Sequence, residues 1–342
     1  MLFEVGIMSE ISSTYHFETA KELLGALMPW SKLSSDIVLK NYVFRGQRDA
    51  TYHLVPSSLR PPSKKDMIAS MNVFVDAHPD LEHSSFIQAF VEYQLIRDFY
   101  RQADMNGLSV PESRFLRDLH YRKVDFQAMS SWNHNSPWLP DDMLEAAALA
   151  QHYGIPTRLL DWTYNPMISA FFASQPRPGC DGFKRDGKLC IWGLNTEKVG
   201  FIHMAYRKAK DVPMERPFPD FPLKFVTPPY RGNPNLEAQQ GLFSHWVTPL
   251  GSLEYILDKV SENTPAVCLV QQVADYFRDL GIPVVDDLFI KFTLPNSQAE
   301  NLAKYLRELG YGPSRLFPGY EGISAEISER RYFTKKPMSE ND

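Results

Sequence analysis

A mixed α/β fold of the α+β kind, a central sheet with flanking helices, is what this sequence predicts, and three observations carry it. Helical-period and strand-period segments follow one another irregularly along the 342 residues, with strands too scattered for regular βαβ units. Hydrophobic residues make up 44% and charged residues 23%, an ordinary globular balance with ample material for a core. Aromatic residues reach 13%, bulk that favours a packed interior over disorder.

The elements follow in order. Residues 18–29 read as a helix, because Ala20, Leu23, Leu24 and Leu27 recur at helical spacing and Pro29 stops the run. Residues 37–46 read as a strand ending at Arg45-Gly46, and Pro56, Ser57, Ser58, Pro61 and Pro62 make the next stretch turn-rich. Residues 84–104 carry the longest helical pattern, with Phe86, Phe90, Tyr93, Ile96, Phe99 and Tyr100 on one face. A helix is predicted over 140–153, with Asp141 or Asp142 near its start and Gly154 just past its end. The strand-like run 157–162 follows, and Asn165-Pro166 restarts a helix. Residues 188–194 read as a buried strand, 213–235 as a proline-rich loop, 239–246 as a strand, 288–292 as a strand and 297–309 as a helix. The organisation predicted is an N-terminal extension over 1–17, one main domain over 18–330 and a polar tail over 331–342.

Composition narrows the function. A net charge of −5 gives no overall basic footprint for duplex nucleic acid or an anionic membrane surface. Cys180, Cys190 and Cys268 cannot all pair within one chain and form no C-x-x-C array, so neither a disulfide framework nor a metal site is expected. The opening Met1-Leu2-Phe3-Glu4-Val5 lacks a basic segment and a long apolar run, and no stretch approaches the ~18 apolar residues of a membrane span. The expected setting is the cytoplasm, without membrane contact. His120 and His152 stand alone, without metal-ligand spacing, and read as structural hydrogen-bonding residues. Walker A, G-x-G-x-x-G, H-E-x-x-H, G-x-S-x-G and kinase signatures are absent from the sequence.

Three segments place polar residues densely within apolar runs. In Phe44-Arg45-Gly46-Gln47, an Arg at the end of an apolar strand sets a rigid five-donor fork beside a glycine, which suits phosphate or carboxylate. The same Arg reads equally as a structural partner of a buried acid such as Asp161. The second segment runs from Gln151 through Arg158 and Asp161 to Thr163, and is either a structural network or a binding site. Thr163 also reads as an N-cap for the following helix. Strand alternation predicts that Asp161 faces Arg45 or a ligand while Arg158 faces the 140–153 helix. In the third segment, Glu237, Gln239 and Gly241 would share one side of a strand, facing a cleft or solvent.

These segments together resemble the FRG domain family. Phe44-Arg45-Gly46 matches the motif that names it, and Leu54, Pro56, Leu59 and Arg60 follow downstream. Residues 150–163 match an Ala-Gln-His-x-Gly-hydrophobic-Pro-Thr-Arg-Leu-Leu-Asp-Trp-Thr run. Ala238, Gln239, Gly241 and Phe243 match a third motif, and Leu316-Phe317-Pro318 with Glu321-Gly322 look like the closing one. Asn235 stands where the family often has Arg.

By analogy, the order of the motifs is similar to that of ADP-ribosyltransferases: a strand-borne Arg, a polar strand leading into a helix, then a late acidic strand. That likeness implies an NAD-binding site in which Arg45, Gly46, Gln47, Asp161 and Thr163 hold the dinucleotide and Glu237 and Gln239 do the chemistry. Arg45 would anchor phosphate, Thr163 and Gln239 would contact ribose, and a carboxylate would stabilise the oxocarbenium charge that develops when the nicotinamide–ribose bond breaks. Gln239 occupies the place expected of that carboxylate, and Glu237 is the nearest acid. Three functions stay open: an ADP-ribosyltransferase-like effector such as a toxin or phage-defence protein acting on a macromolecular target; a nucleotide-sensing or ligand-binding domain without catalysis; and a nucleic-acid-acting effector such as a nuclease.

Overall fold

The computed structural model describes residues 5–9, 11–31, 33, 37–60, 85–118, 135–175, 186–213, 215, 221–252, 268–283 and 285–333. Its strands are β1 (Val5–Ser9), β2 (Ser12–His16), β3 (Tyr42–Gln47), β4 (Pro137–Trp138), β5 (Leu159–Thr163), β6 (Lys188–Asn195), β7 (Leu223–Val226), β8 (Gly241–Trp246), β9 (Thr248–Pro249) and β10 (Phe289–Pro295). Its α-helices are α1 (Ala20–Ala26), α2 (Ser85–Met105), α3 (Arg114–Asp118), α4 (Leu144–His152), α5 (Pro166–Ser174), α6 (Thr196–Lys210), α7 (Pro234–Ala238), α8 (Leu269–Leu280), α9 (Ala299–Glu308), α10 (Pro313–Leu316) and α11 (Tyr320–Phe333). The fold is mixed α/β, a central sheet with flanking helices. None of the described helices is long and apolar enough to cross a membrane.

Eight strands form the main sheet in the order β1-β2-β10-β6-β3-β5-β8-β7. The β2–β10 pair is parallel and the other pairs are antiparallel. Strands distant in sequence therefore become neighbours: β3, β5 and β8, which carry the three polar segments, lie side by side.

Strand alternation splits the sheet into two faces. On one face Val43, Leu160, Trp162, Trp192 and Leu242 pack with Ile202 of α6 and with Val273 and Phe277 of α8. On the other face two clusters sit apart. Phe44, Ile191, Ile290 and Phe292 pack under α1, α5 and α9. Leu159 and Phe243 pack with α2 and α4 through Tyr93, Ile96, Ala147 and their neighbours. The seam between those two clusters is where the cleft lies.

Local chemistry sets the helix ends. Thr19 and Glu22 form a reciprocal capping box at α1. Asn165 Oδ1 accepts from the Met167 N–H, and Pro166 takes the first helical position of α5. Gly154, with φ +94°, follows α4 as predicted.

The structure corrects several sequence readings. Residues 5–16, read as part of an extension, supply two strands of the main sheet. The strand predicted over 37–46 starts at Tyr42, because Leu39–Asn41 close a 3-10 turn first. The proline-rich loop contains β7, which pairs only with β8 and lies at the sheet edge, where prolines just outside it interrupt no ladder. The strand expected over 239–246 begins at Gly241, since Pro234 opens a helical turn and Gln240, at φ +47°, reverses the chain into the strand. Cys180, His120 and residues 334–342 of the tail lie outside the described residues.

Candidate functional site

β3 and β5 are paired at a single register position, Phe44 opposite Thr163. Beyond it the strands part, and the Arg45 guanidinium fills the split. Arg45 Nη1 donates to the Asp161 carbonyl oxygen at 2.8 Å and meets Asp161 Oδ1 at 2.6 Å. The Arg45 side chain is 12% exposed and that of Asp161 63% exposed. Arg45 Nε is buried without a hydrogen-bond partner. The edge of the guanidinium formed by Nε and Nη2, the side-on fork that matches two oxygens of an anion, is not engaged by any described residue.

This pair stands in a cavity of about 300 Å³. Its polar wall is Arg45, Asp161, Gln151, His152, Asn235 and Gln239; Thr163, Gly46 and Ser169 line it too. Its apolar wall includes Phe172 of α5 and Phe317, whose rings meet edge to face at 6.2 Å. The cleft thus draws on β3, α4, β5, α5, α7, β8 and the segment after α10.

Most polar atoms here already have partners. Gln151 Nε2 donates to Asp161 Oδ1 at 3.3 Å, and its Oε1 accepts from the Thr157 hydroxyl. The Thr163 hydroxyl donates to the Gln239 carbonyl oxygen at 2.7 Å and accepts from the Asn165 N–H at 3.1 Å. The Ser169 hydroxyl donates to Pro166 O. Gln239 Nε2 donates to Leu316 O at 3.1 Å, which ties the C-terminal segment to the cleft and fixes which way the amide points.

Two titrating groups face this space. Burial raises the Asp161 pKa, but the Arg45 charge and its hydrogen bond, with Arg60 farther off, outweigh that and hold it below the ordinary carboxylate value. Asp161 is therefore ionised at neutral pH. Burial holds His152 below the ordinary imidazole value against the pull of Asp161, and its Nε2 is buried without a partner.

Arg45, Gly46, Asp161, Thr163 and Gln239 are thus brought together, although they span β3 to β8 in sequence. Two of the proposed site residues are not. Gln47 is buried away from the cleft, where its Oε1 accepts from Trp192 Nε1 at 3.0 Å and its Nε2 donates to His53 O. Glu237 is exposed on α7 and does not line the cavity, because the helical turn replaces the alternation that would have aimed it inward. Gly46 lines the cleft, yet a Cβ there would sit 1.9 Å from Ser169 O, so its bare backbone serves the packing of α5.

Arg158 finds its partner on α2. Its Nε pairs with Glu92 Oε2 of α2 at 2.6 Å, with side chains 4% and 1% exposed. Trp138 Nε1 and Gln88 Nε2 also donate to that carboxylate.

His152, Asn235, Phe172 and Phe317 were missed as site residues. His152 sits inside the most specific motif, and that placement was the available signal. Phe317 lies within the closing Leu316-Phe317-Pro318 motif, whose role only the fold reveals.

Residues 40–179 match the family model described as the FRG domain. No curated protein and no solved structure matches the chain. The matched stretch contains β3, α4, β5 and α5, the elements that bring Arg45, His152, Asp161 and Thr163 to the cleft, so the similarity to the FRG domain falls on the part of the chain that builds the site.

Proposed function

We propose that the cleft binds a nucleotide of the NAD class, with Arg45 taking a phosphate on its Nε–Nη2 edge. One observation carries this reading: a nearly buried guanidinium at a ligand-sized cavity uses only Nη1 internally and leaves its two-donor edge without a partner among the described residues. Such an edge suits paired phosphate oxygens. The Phe172 and Phe317 rings offer an apolar surface for a base or nicotinamide ring. A cavity at the lower end of the roughly 300–1,000 Å³ usual for ligand sites suits one nucleotide half of a dinucleotide.

The test is titration of NAD into wild type, Arg45→Lys and Arg45→Ala, with melting temperature recorded on the same samples. Arg45→Lys keeps the charge and loses the fork, so affinity falls. Arg45→Ala weakens binding by about 2–5 kcal/mol. A wild type that binds no nucleotide, with Arg45→Ala melting far below it, would make Arg45 a purely structural partner of Asp161.

ADP-ribosyl transfer is the second reading, and one observation favours keeping it. Asp161 brings an ionised carboxylate to the cleft even though Glu237 lies outside it. Nicotinamide release in the same samples separates the two: binding without release assigns the cleft to sensing, while release abolished in Asp161→Asn, with the ADP-ribosyl group recovered on an added protein acceptor and not as free ADP-ribose, assigns it to transfer.

A further inference from the structure

Asp161 and Gln239 leave acceptors open on the cleft wall. Beside them Gln151 Nε2 donates to Asp161 Oδ1, and the Thr163 and Ser169 hydroxyls donate within the protein and are used internally. Trp162 Nε1 donates to the Ser244 hydroxyl at 2.8 Å and is likewise used. The acceptors are not. Asp161 Oδ1 takes Arg45 Nη1 and Gln151 Nε2, while Oδ2 receives no hydrogen bond from another described residue on a side chain 63% exposed. Gln239 gives its Nε2 to Leu316 O and keeps Oε1 without a partner among the described residues. A ligand that meets Asp161 Oδ2 and Gln239 Oε1 must bring donors.

Charge narrows the kind of donor. A cationic group beside Asp161 would also lie beside Arg45, 2.6 Å from the same carboxylate, and be repelled. Neutral O–H donors meet no such penalty. An ionised carboxylate with a free oxygen receives vicinal hydroxyls well, the arrangement by which an acidic residue reads ribose in dinucleotide sites. Thr163, which the sequence offered for ribose, already donates to the Gln239 carbonyl oxygen and accepts from the Asn165 N–H.

We propose that Asp161, assisted by Gln239 Oε1, receives the 2′- and 3′-hydroxyls of the ligand's ribose, so that the cleft selects ribonucleotides over their deoxy counterparts. This rests on the nucleotide reading of the cleft and gives its ligand a class. The bound group is an uncharged cis-diol on Asp161 joined to an anion on the far edge of Arg45, which is the chemistry of a ribose phosphate.

The experiment is calorimetric titration of the full chain with AMP, 2′-deoxy-AMP and 2′,3′-dideoxy-AMP. Wild type should bind AMP tightest and lose about tenfold to a hundredfold for each hydroxyl–carboxylate bond removed. In Asp161→Asn that preference should shrink toward unity, whereas Asp161→Glu should retain part of it. The affinity ratio is the readout, because a general loosening of the cleft lowers all affinities together. Equal affinity of wild type for AMP and the dideoxy compound overturns the proposal, whether or not the variants fold. So does a preference that survives unchanged in Asp161→Asn. Ribose 5-phosphate and 2-deoxyribose 5-phosphate separate the two layers of the argument. If only ribose 5-phosphate binds and no nucleotide does, the nucleotide reading falls and the diol site stands. If none of these probes binds, both fall.

Discussion

At the scale of single residues, the Phe-Arg-Gly motif divides its labour. Arg45 reaches Asp161 across a split in the sheet, while Gly46 lets α5 lie against β3. Gly46→Ala forces a carbon onto the Ser169 carbonyl, and backbone cannot swing away as a side-chain tip can. We expect a loss of about 1–3 kcal/mol in urea denaturation. An unaltered midpoint would show that α5 shifts freely. Arg45 and Asp161 were legible in the sequence because an Arg before Gly and an acid inside an apolar run are conspicuous. Gln47 misled for the same reason: a polar residue beside the motif looked like part of the site, and only the fold shows it bonded to Trp192. His152 was discounted because an isolated histidine carries no spacing signal, and its neighbours in space, Asp161 above all, come from another element.

At the scale of elements, α2 shows what periodicity conceals. Its aromatic stripe was read correctly as a buried face, since Phe90, Tyr93, Ile96 and Tyr100 are all buried. Yet Gln88, Glu92, Gln94 and Arg97 are buried as well, and Glu92 is answered by Arg158, just before β5. A charge that looks solvent-facing in sequence is buried when a distant partner satisfies it. The network extends to His245 of β8, whose Nε2 accepts from the Leu139 N–H at 3.1 Å. Burial first, then the Arg158 charge, with Lys224 farther off, push His245 from 6.5 down to about 4. Between those values the unfolded chain binds a proton that the folded chain refuses. Stability from this group is therefore complete above 6.5 and falls as pH drops toward 4, by about 2–3 kcal/mol at pH 4.5. Urea midpoints of wild type and His245→Gln at pH 7 and pH 4.5 test this: the wild type should lose more on acidification. Equal losses would remove His245 from the account.

At the scale of the whole molecule, the family match and the folding unit differ in extent. Residues 40–179 contain β3 and β5, which share one register pair. The neighbours that complete their hydrogen bonding, β6 beside β3 and β8 beside β5, come from outside that stretch. A fragment cut to 40–179 would expose both strand edges and the apolar residues that α8 and α9 cover, the conditions for edge-to-edge association. We expect such a fragment to aggregate or bind a hydrophobic dye, while the full chain melts cooperatively. A soluble fragment with a sharp thermal transition would show instead that the match folds alone. Strand order of this kind was not legible in the sequence. Periodicity announces a strand, but its neighbours are settled by faces that meet only when the chain has closed.

The place of Phe317 in the cleft wall has a consequence in time. Protein synthesis delivers the chain from one end at roughly 5–20 residues per second. β3 ends at Gln47, and β6, which must pair with it, starts at Lys188. β5 emerges sooner but offers β3 a single register pair, so the central strand waits roughly 7–28 s at the ribosome for its main neighbour. β8 follows later still, and Leu316, whose carbonyl accepts from Gln239, and Phe317, which lines the apolar wall, emerge after β10. A nascent chain can therefore present Arg45, Asp161 and Thr163 and still have no closed cleft. The cavity wall is complete only once Phe317 has left the exit tunnel, so a chain stalled before it lacks the finished cleft.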